Sequence, residues 1–285
     1  MLKYWILAAR PKTLTAALIP VLTATALAYS EGHGRWQPAL LCCLFAAIMQ
    51  IAANFINDLF DYRKGIDRED RLGPERACAQ GWITPRAMTR GIIITLILAC
   101  AVGCGLLPFG GWPLVGIGAA CVLFAFLYTT LLSYMGCGDI LVWVFFGIVP
   151  VCGTYYVQAQ MLTPSVWWLA AASGLVIDTL LVLNNYRDRK QDALSGKRTL
   201  IVALGEQFGS MFYLLQGVAG CVCVAMLAFY DHTLCAILPL LYLVPHSLTW
   251  REMVRINQGR TLNRILGKTS RNMLIFAVLT VLALL

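Results

Sequence analysis

The sequence is divided into long apolar runs by charged segments, and this pattern limits the chain to a bundle of helices that crosses a lipid bilayer. Of its 285 residues, 59% are hydrophobic and 13% are charged, whereas about 25% are charged in an ordinary soluble domain. A helix needs about 20 apolar residues to cross the hydrocarbon layer. Nine runs approach that length: residues 13–30, 38–57, 88–107, 112–133, 139–158, 163–186, 208–229, 233–250 and 269–285. We predict an all-α fold, a single integral-membrane domain over residues 1–285 with nine transmembrane helices.

Positive charge is confined to one set of connecting segments, which predicts the orientation of the bundle. Of the 22 Lys and Arg residues, 21 lie in residues 1–12, 58–90, 187–198 and 251–271, and the remaining one is Arg35. An even number of runs separates each segment from the next, so all four lie on one side, the cytoplasmic side by the positive-inside rule. We expect a cytoplasmic N-terminus and an external C-terminus, with eight spans as the alternative. The net charge of +8 then faces anionic lipid headgroups of the bilayer, and no nucleic-acid partner is expected.

Cysteine and histidine predict neither a disulfide framework nor a soft metal site. Most of the 11 cysteines lie within apolar runs, where a thiol acts as a small hydrophobic group, and none are spaced as Cys-x-x-Cys. The three histidines are scattered. The first apolar run follows Arg10-Pro11-Lys12 and is long enough to stay in the bilayer, so no cleavable signal is expected.

Two apolar runs end in similar groups of amides and carboxylates. The first acidic cluster, at the end of the second run, consists of Asn54, Asn57, Asp58 and Asp61. The second acidic cluster, at the end of the sixth run, consists of Asn184, Asn185, Asp188 and Asp192. At about 100° per residue, the members of each cluster share one helix face. Both clusters leave the bilayer on the same side, so they can face each other across the bundle.

Four carboxylates that face one another repel, and a divalent cation resolves the repulsion. Mg²⁺ prefers hard oxygen ligands and is often shared between one or two carboxylates and a substrate phosphate. Basic residues beside the clusters can hold further phosphate oxygens: Arg63, Lys64, Arg187, Lys190, Lys197 and Arg198. A diphosphate at the mouth of an apolar bundle predicts a donor with a lipid tail, whose allylic carbocation forms when the metal-bound diphosphate leaves. Aromatic rings can stabilise that cation, although tyrosines near helix ends also serve as ordinary interfacial anchors.

Other functions fit the sequence less well. One acidic helix end alone is most often a solvated, ion-paired terminus, but two matching clusters on one membrane face favour the metal-diphosphate interpretation. A CDP-alcohol phosphatidyltransferase requires an Asp-Gly dipeptide, and the chain has none. A transporter is the non-enzyme alternative, and it predicts broken helix pairs around a polar midplane. Here the runs are apolar at mid-depth apart from Asp178.

The chain resembles the UbiA superfamily of intramembrane aromatic prenyltransferases, and within it the branch that acts on 1,4-dihydroxy-2-naphthoate. The two acidic clusters resemble its paired aspartate-rich motifs, and the resemblance covers nearly the whole chain. The matching segments are Ala9-Arg10-Pro11-Lys12-Thr13-Leu14, Asn57-Asp58 to Asp67, Gly73-Pro74 with Arg76-Ala77 and Gln80-Gly81, Gly138-Asp139 to Phe146-Gly147, Asn184-Asn185-Tyr186-Arg187-Asp188, and Gly196-Lys197-Arg198-Thr199-Leu200. In this order they are specific.

The resemblance implies a nine-helix bundle in the bacterial plasma membrane, with a cavity open to the cytoplasm. It implies Mg²⁺ bound through both clusters and transfer of a prenyl group from polyprenyl diphosphate to 1,4-dihydroxy-2-naphthoate, with loss of the carboxylate, giving demethylmenaquinone. Another acceptor, such as 4-hydroxybenzoate, is the alternative. Asp58, Asp61, Asp188 and Asp192 match the catalytic metal ligands, with Asn54, Asn57, Asn184 and Asn185 beside them. The implied diphosphate-binding residues are Arg63, Lys64, Arg76, Arg187, Lys197 and Arg198, and the implied acceptor-lining or cation-lining residues are Lys12, Tyr128, Tyr134, Asp139, Tyr155 and Tyr186.

Three positions remain open at this stage. The first motif of the family often reads NDxxDxxxD, but Gly65 occupies its last position here and Asp67 follows two residues later. Asp139 opens the fifth run, where a carboxylate suits either a helix N-terminus or an active-site lining. Asp178 lies about midway along the sixth run, where it binds a polar partner on a neighbouring helix or lines the cavity.

Overall fold

The computed structural model describes residues 1–65 and 72–285, except for the side chains of Lys12 and Ser133. Within these residues every regular element is helical, and nine segments are long and apolar enough to cross a membrane. The predicted fold class and the predicted number of spans are therefore confirmed for the described part of the chain.

Eleven α-helices form the bundle, and we number them in chain order. They are α1 Leu2–Ala9, α2 Pro11–Ser30, α3 Trp36–Arg63, α4 Pro85–Gly110, α5 Pro113–Thr130, α6 Gly138–Val142, α7 Val149–Ala159, α8 Pro164–Leu194, α9 Leu200–Ala225, α10 Leu243–Ile256 and α11 Leu262–Leu284. A π-helical segment, Trp143–Ile148, joins α6 to α7, and together the three make the fifth span. Short 3₁₀ turns at Leu132–Tyr134, Met226–Tyr230, Thr233–Ala236 and Leu238–Tyr242 complete the connections.

Local sequence accounts for where several helices begin. The helices α2, α4, α5 and α8 each start with proline, whose missing N–H would have no intrahelical partner at that position. Thr84 also caps α4, since its side chain accepts a hydrogen bond from the Ala87 N–H at 3.2 Å. These signals fix the helix ends close to the edges of the apolar runs.

Two helices extend beyond those runs at their C-terminal ends. The helix α3 continues to Arg63 rather than ending near residue 57, and α8 continues to Leu194 rather than ending near residue 186. Once a helix is nucleated, each further residue costs little, so it continues into charged sequence. The four carboxylates of the acidic clusters therefore lie on helical extensions, and the four amides lie just before them. The short helix α1 precedes the first span and was not predicted.

The long helix α8 lies at the centre of the packing. Gly147 and Gly174 bring the fifth span against it, because a Cβ on Gly147 would lie only 2.6 Å from the Ala170 carbonyl oxygen and 2.9 Å from the Gly174 Cα. On the other side of α8, residues of α9, α10 and α11 form a close-packed core around Tyr186 and Tyr213. The helices on that side of α8 are therefore closely packed.

Candidate active site

A cavity of about 560 Å³ lies among α2, α3, α4, α5, the fifth span and α8. Its described lining runs from Thr13 to Asn184 and is mostly aliphatic and aromatic. The polar side chains in the lining are those of Thr13, Gln50, Asn57, Tyr128, Thr129, Thr154 and Asn184. Of these, Thr13, Asn57 and Asn184 lie near helix ends that adjoin basic segments, and Thr129 lies beside them because it contacts Asn57. The cavity is thus an apolar pocket with a polar end.

Both acidic clusters reach this polar end. Asn57 from α3 and Asn184 from α8 line the same cavity. Tyr128 of α5 also lines it and lies within electrostatic reach of Asp61 in the first cluster and Asp192 in the second. The tertiary structure therefore brings together two groups that are more than 100 residues apart in the chain.

The two carboxylates of the first cluster have different partners. Asp58 is 1% exposed, and its two oxygens accept hydrogen bonds from the backbone N–H groups of Ala77 and Cys78, each at 2.8 Å. Asp61 is paired with Arg76 of the same returning segment, with 2.6 Å between Arg76 Nη2 and Asp61 Oδ2. Asp58 therefore holds the segment that carries Arg76, and Arg76 in turn orients Asp61. Each oxygen of Asp58 accepts one backbone N–H, so its observed contacts are those of a residue that holds the returning segment, and its role as a metal ligand stays a prediction.

The two amides of the first cluster also have different hydrogen-bond partners. Asn54 is buried and donates through Nδ2 to the Ala9 carbonyl oxygen at 2.8 Å and to Thr13 Oγ1 at 2.9 Å. It ties α3 to the junction of α1 and α2, and its role as a metal ligand stays a prediction. Asn57 Oδ1 accepts a hydrogen bond from the Thr129 hydroxyl at the cavity wall.

In the second cluster, Asp188 is paired with its own neighbour. Arg187 binds Asp188 through two parallel hydrogen bonds of 2.7 and 2.6 Å, and its third nitrogen donates to Asn263 Oδ1 at 2.8 Å. Asn263 in turn donates to the carbonyl oxygen of Leu72 at 2.8 Å. Arg187 is buried, so it joins α8 to α11 and to the segment after the first cluster. The prediction that Arg187 binds diphosphate does not fit this position.

The remaining carboxylate of the second cluster faces the next connection. Asp192 is largely buried, and its Oδ2 lies 3.5 Å from Lys197 Nζ. The backbone brings Lys197 close, because its N–H donates to the Asp192 carbonyl oxygen at 2.9 Å. Lys197 is therefore held beside the second cluster, as a diphosphate-binding residue would need to be.

The other predicted diphosphate-binding residues lie around the same end of the bundle. Lys64 donates to the carbonyl oxygens of Thr129 and Thr130 at 3.2 and 2.8 Å, and its Nζ lies 4.2 Å from the centre of the Tyr134 ring. Arg63 is exposed, with its guanidinium 5.8 Å from the Phe60 ring centre. Arg198 has an exposed side chain. Lys64 therefore joins α3 to α5, whereas the side chains of Arg63 and Arg198 face solvent.

The turn after α5 packs against the connection between α8 and α9. The Arg198 N–H donates to the Tyr134 carbonyl oxygen at 3.0 Å. Gly136 has a φ of +78°, and a Cβ there would lie 2.7 Å from the Arg198 carbonyl oxygen. Only glycine fits this contact, which brings Tyr134 and Lys197 to the same side of the site.

Of the predicted tyrosines, Tyr128 lines the cavity but Tyr155 and Tyr186 do not. Tyr155 lies near the end of the fifth span that is remote from Asp139, and it donates to the Glu31 carboxylate. Tyr186 lies 200° around α8 from Asn184, at 100° per residue. It packs in the core with Tyr213, and the Arg189 guanidinium lies 4.5 Å from the centre of its ring. The predicted cavity-lining roles of Tyr155 and Tyr186 are therefore wrong.

Asp139 lines a small recess next to the cavity. Tyr128, Asn185 and Lys197 also line this recess, which adjoins the cavity through Tyr128 and Leu181. Asn185 is thus in the recess rather than beside Asn184. The backbone of Lys12 lies in the first turn of α2, but its side chain is outside the described structure, and so is Asp67.

Three polar residues of the cavity wall were not predicted. They are Thr13, Gln50 and Thr129, and Thr129 contacts Asn57 directly. The Thr129-Thr130 pair near the end of an apolar run was the available signal. Gln50 gave a similar signal, as an amide one helical turn before Asn54.

The donor set at this end suits a hard divalent cation. It offers carboxylate oxygens from Asp61, Asp188 and Asp192 and amide groups from Asn57 and Asn184. In the described part of the chain, no three His, Cys, Asp or Glu side chains are grouped closely enough to hold a metal ion alone. This arrangement fits Mg²⁺, which commonly takes only one or two carboxylates and completes its shell with water and phosphate.

The fold and the site define a polytopic membrane protein whose apolar cavity ends between two acidic helix termini. Comparisons with known proteins identify the family. A model of the UbiA prenyltransferase family matches residues 17–274. The chain belongs to the UbiA prenyltransferase family, and it is therefore an enzyme.

Individual relatives agree with this assignment. The chain is 37% identical over 236 residues to 1,4-dihydroxy-2-naphthoate octaprenyltransferase of Escherichia coli, which covers 80% of this chain and 77% of that protein. It is 35% identical over 279 residues to the protein of the same name from Mycobacterium tuberculosis, covering 96% and 94%. A solved structure, the UbiA homolog from Archaeoglobus fulgidus bound to DMAPP and Mg²⁺, has the same fold, with a TM-score of 0.69 at 13% identity over 98% of both chains.

Proposed function

We propose that the enzyme transfers a polyprenyl group from polyprenyl diphosphate to 1,4-dihydroxy-2-naphthoate with loss of the carboxylate, giving demethylmenaquinone in its reduced, quinol form. The observation that carries this proposal is the single apolar cavity lined by an amide from each acidic cluster. The names of the relatives at 37% and 35% identity support the naphthoate acceptor. The choice of acceptor rests on the names of the relatives, and the choice of a prenyl donor rests on the apolar lining of the cavity.

The cavity suits the tail of the donor, and its polar end suits the diphosphate. About 560 Å³ of mostly aliphatic and aromatic lining provides the environment in which a prenyl chain is buried. Asn57 and Asn184 mark the end at which the diphosphate would lie. The exposed Arg63 and Arg198 and the nearby Lys197 supply positive charge for its oxygens.

Five residues would hold Mg²⁺ at this end: Asn57, Asp61, Asn184, Asp188 and Asp192. When bound, the metal ion neutralises the diphosphate as negative charge develops on it. Asp58 and Arg76 position the first cluster, and Arg187 positions the second, as their contacts indicate. The predicted site residues therefore divide into those that would bind Mg²⁺ and those that position the metal-binding side chains.

The reaction itself is an electrophilic aromatic substitution. The bond between the prenyl C1 and the diphosphate oxygen breaks, and the diphosphate leaves with both electrons. An aromatic carbon of the acceptor forms the new bond to C1, and aromaticity returns as the carboxylate leaves as carbon dioxide. The ring face of Tyr128, at the cavity wall, can stabilise the allylic cation.

We also propose that the enzyme resides in the bacterial plasma membrane with its site facing the cytoplasm. Of the 22 Lys and Arg residues, 21 lie in segments on one side of a nine-span bundle. Both acidic clusters leave the bilayer on that side, which makes the N-terminus cytoplasmic and the C-terminus external. Cysteine labelling of intact cells at the exposed Trp36 and Gln258 positions checks this: only a Cys at Trp36 should react with an impermeant reagent.

The acceptor is tested with purified enzyme in lipid vesicles and a labelled polyprenyl diphosphate. We expect labelled product with 1,4-dihydroxy-2-naphthoate and carbon dioxide release in equal amount. If the enzyme prenylates 4-hydroxybenzoate and not the naphthoate, the alternative acceptor is the correct one. Flux of the donor across the vesicle without diphosphate release would instead favour a transporter.

Removal of Mg²⁺ is expected to abolish this transfer. A chelator should reduce product formation to background, because the carboxylate and amide oxygens of the two clusters bind the diphosphate poorly without a cation between them. Added Mg²⁺ should restore activity fully, and the melting temperature should change little. Persistent activity in the chelator would contradict the metal-dependent mechanism.

A further inference from the structure

Two buried carboxyl groups meet beside the cavity. Asp139 lies in the first turn of α6, and Asp178 lies midway along α8 with 2% of its surface exposed. Their carboxyl groups contact each other. Asp178 Oδ2 also accepts a hydrogen bond from Gln216 Nε2 of α9 at 2.5 Å. The described partners of Asp178 are thus an amide and a second acid.

The surroundings give this pair little positive charge. Of the described charged groups, Lys197 acts on Asp139 from across the recess, and Tyr128 lies within electrostatic reach of both acids. Asp61 and Asp192 act on the same tyrosine and add negative charge to the region. Two carboxylates in contact repel strongly where water is scarce, so such a pair holds one proton between its members.

A purely structural bond between α6, α8 and α9 does not need two acids. Two amides, or an amide and an acid, make similar hydrogen bonds at a smaller desolvation cost. What two carboxyls add is a proton that can be exchanged. Their position makes this useful, because Asp139 lines the recess that adjoins the cavity through Tyr128.

We propose that the Asp139–Asp178 pair receives the hydroxyl proton of the aromatic acceptor, with Asp139 as the acid that contacts the acceptor and Asp178 as the positioning residue behind it. This inference rests on the proposed function. The acceptor ring lies against Tyr128 at the wall between the recess and the cavity, with its hydroxyl towards Asp139. Gln216 fixes Asp178, and Asp178 fixes Asp139.

The step balances as a proton transfer followed by substitution. The O–H bond of the acceptor breaks, and its proton goes to a carboxylate oxygen of Asp139. The electron pair left on the oxygen enters the ring, which forms the new carbon–carbon bond as the prenyl C–O bond breaks. The pair changes from one bound proton to two. As carbon dioxide leaves, its bonding electron pair returns through the ring to the oxygen, which takes the proton back, so the pair again holds one proton before the next turnover.

The test compares Asp139→Asn and Asp178→Asn with Ser173→Ala, a fully buried control on α8. We expect Asp139→Asn to lower kcat by about a hundredfold or more, the usual contribution of a proton acceptor. Asp178→Asn, which keeps the hydrogen bond to Gln216, should lower kcat by about tenfold. In both variants KM for polyprenyl diphosphate should stay within about threefold of wild type, since the donor site is intact.

A second measurement separates proton transfer from a structural role. Ring-fluorinated 1,4-dihydroxy-2-naphthoates have more acidic hydroxyls and need less help from a base, so the deficit of Asp139→Asn should shrink as acceptor acidity rises. A deficit that stays constant across the acceptors would overturn the proposal, and so would wild-type kcat in Asp139→Asn. If Asp139→Asn fails to fold in detergent, the same acceptor series is measured with Asp178→Asn, whose kcat deficit should also shrink as acceptor acidity rises. Absence of naphthoate prenylation by the wild-type enzyme would instead refute the proposed function.

Discussion

The two acidic clusters look alike in sequence, but the structure holds them in different ways. In the first cluster, Asp58 binds two backbone N–H groups of a segment that returns to it, and that segment supplies Arg76 to Asp61. In the second cluster, Asp188 is paired with the adjacent Arg187, and Asp192 with Lys197 five residues later. The first cluster thus depends on a folded-back segment, whereas the second carries its counter-charges on its own helix and the turn after it.

This difference separates residues that hold a segment of the chain in place from residues whose carboxylate oxygens can bind a metal ion. Two backbone N–H groups hold Asp58 in a fixed orientation, although each of its oxygens keeps a second acceptor position. A carboxylate paired with one lysine or arginine side chain can exchange that partner for a cation more readily. We therefore expect substitutions to have unequal effects within each cluster, and the following predictions test this order.

The largest effect is expected for Asp61→Asn and Asp192→Asn. Each removes a charged oxygen ligand from the proposed metal site, so kcat should fall by at least about a hundredfold. The melting temperature should change less than activity, because asparagine keeps the size of each side chain and its carbonyl oxygen can still accept a hydrogen bond from Arg76 or Lys197. Prenyl transfer and thermal melting of the detergent-purified enzyme measure the two quantities.

A matched control is Asp231→Asn, at an exposed turn on the other face of the bundle, where Asn tolerates the φ of 68°. It should retain full activity. Wild-type activity in Asp192→Asn would show that the second cluster does not bind the metal.

An intermediate effect is expected for Asp58→Asn. One of its oxygens becomes an NH₂ group that faces a backbone N–H, so the free energy of unfolding should fall by about 1–3 kcal/mol. Activity should fall by roughly tenfold, less than for Asp61→Asn, because Arg76 still reaches Asp61 in part of the population. A variant that melts like wild type but has no activity would show that Asp58 contacts the metal or the substrate.

The smallest effect is expected for Arg187→Lys. Lysine cannot reproduce the two parallel hydrogen bonds to Asp188 together with the third to Asn263. KM for polyprenyl diphosphate should rise by roughly threefold to tenfold because Asp188 is less well oriented. The exposed Arg255→Lys serves as the control. A loss of kcat with unchanged KM would instead place Arg187 at the reacting diphosphate.

The fold was predictable because membrane insertion imposes strict lengths. Each of the nine apolar runs corresponds to one described span. The helix ends were less predictable, since apolar length marks where a helix meets the hydrocarbon and not where it ends. The C-terminal ends of α3 and α8 illustrate this, because each extends by about two turns of sequence rich in charge.

The roles of individual site residues were harder to predict. Tyr155 is near the end of the fifth span opposite Asp139, and helical periodicity puts Tyr186 on the face of α8 opposite Asn184, so both errors were avoidable. Asp58 was different. A shared helix face could not separate Asp58 from Asp61, because the separation depends on where residues 76–78 return after leaving α3.

The sequence by itself determined the class of fold, the side on which charge collects, and which residues have the chemistry to bind a cation. These follow from apolar length and from the cost of burying charge in hydrocarbon, and both are read locally. Only the tertiary structure decided which carboxylate holds a loop, that an amide from each cluster lines one cavity, and that Asp139 meets Asp178. Those outcomes depend on contacts between residues far apart in the chain, and no local pattern specifies such contacts.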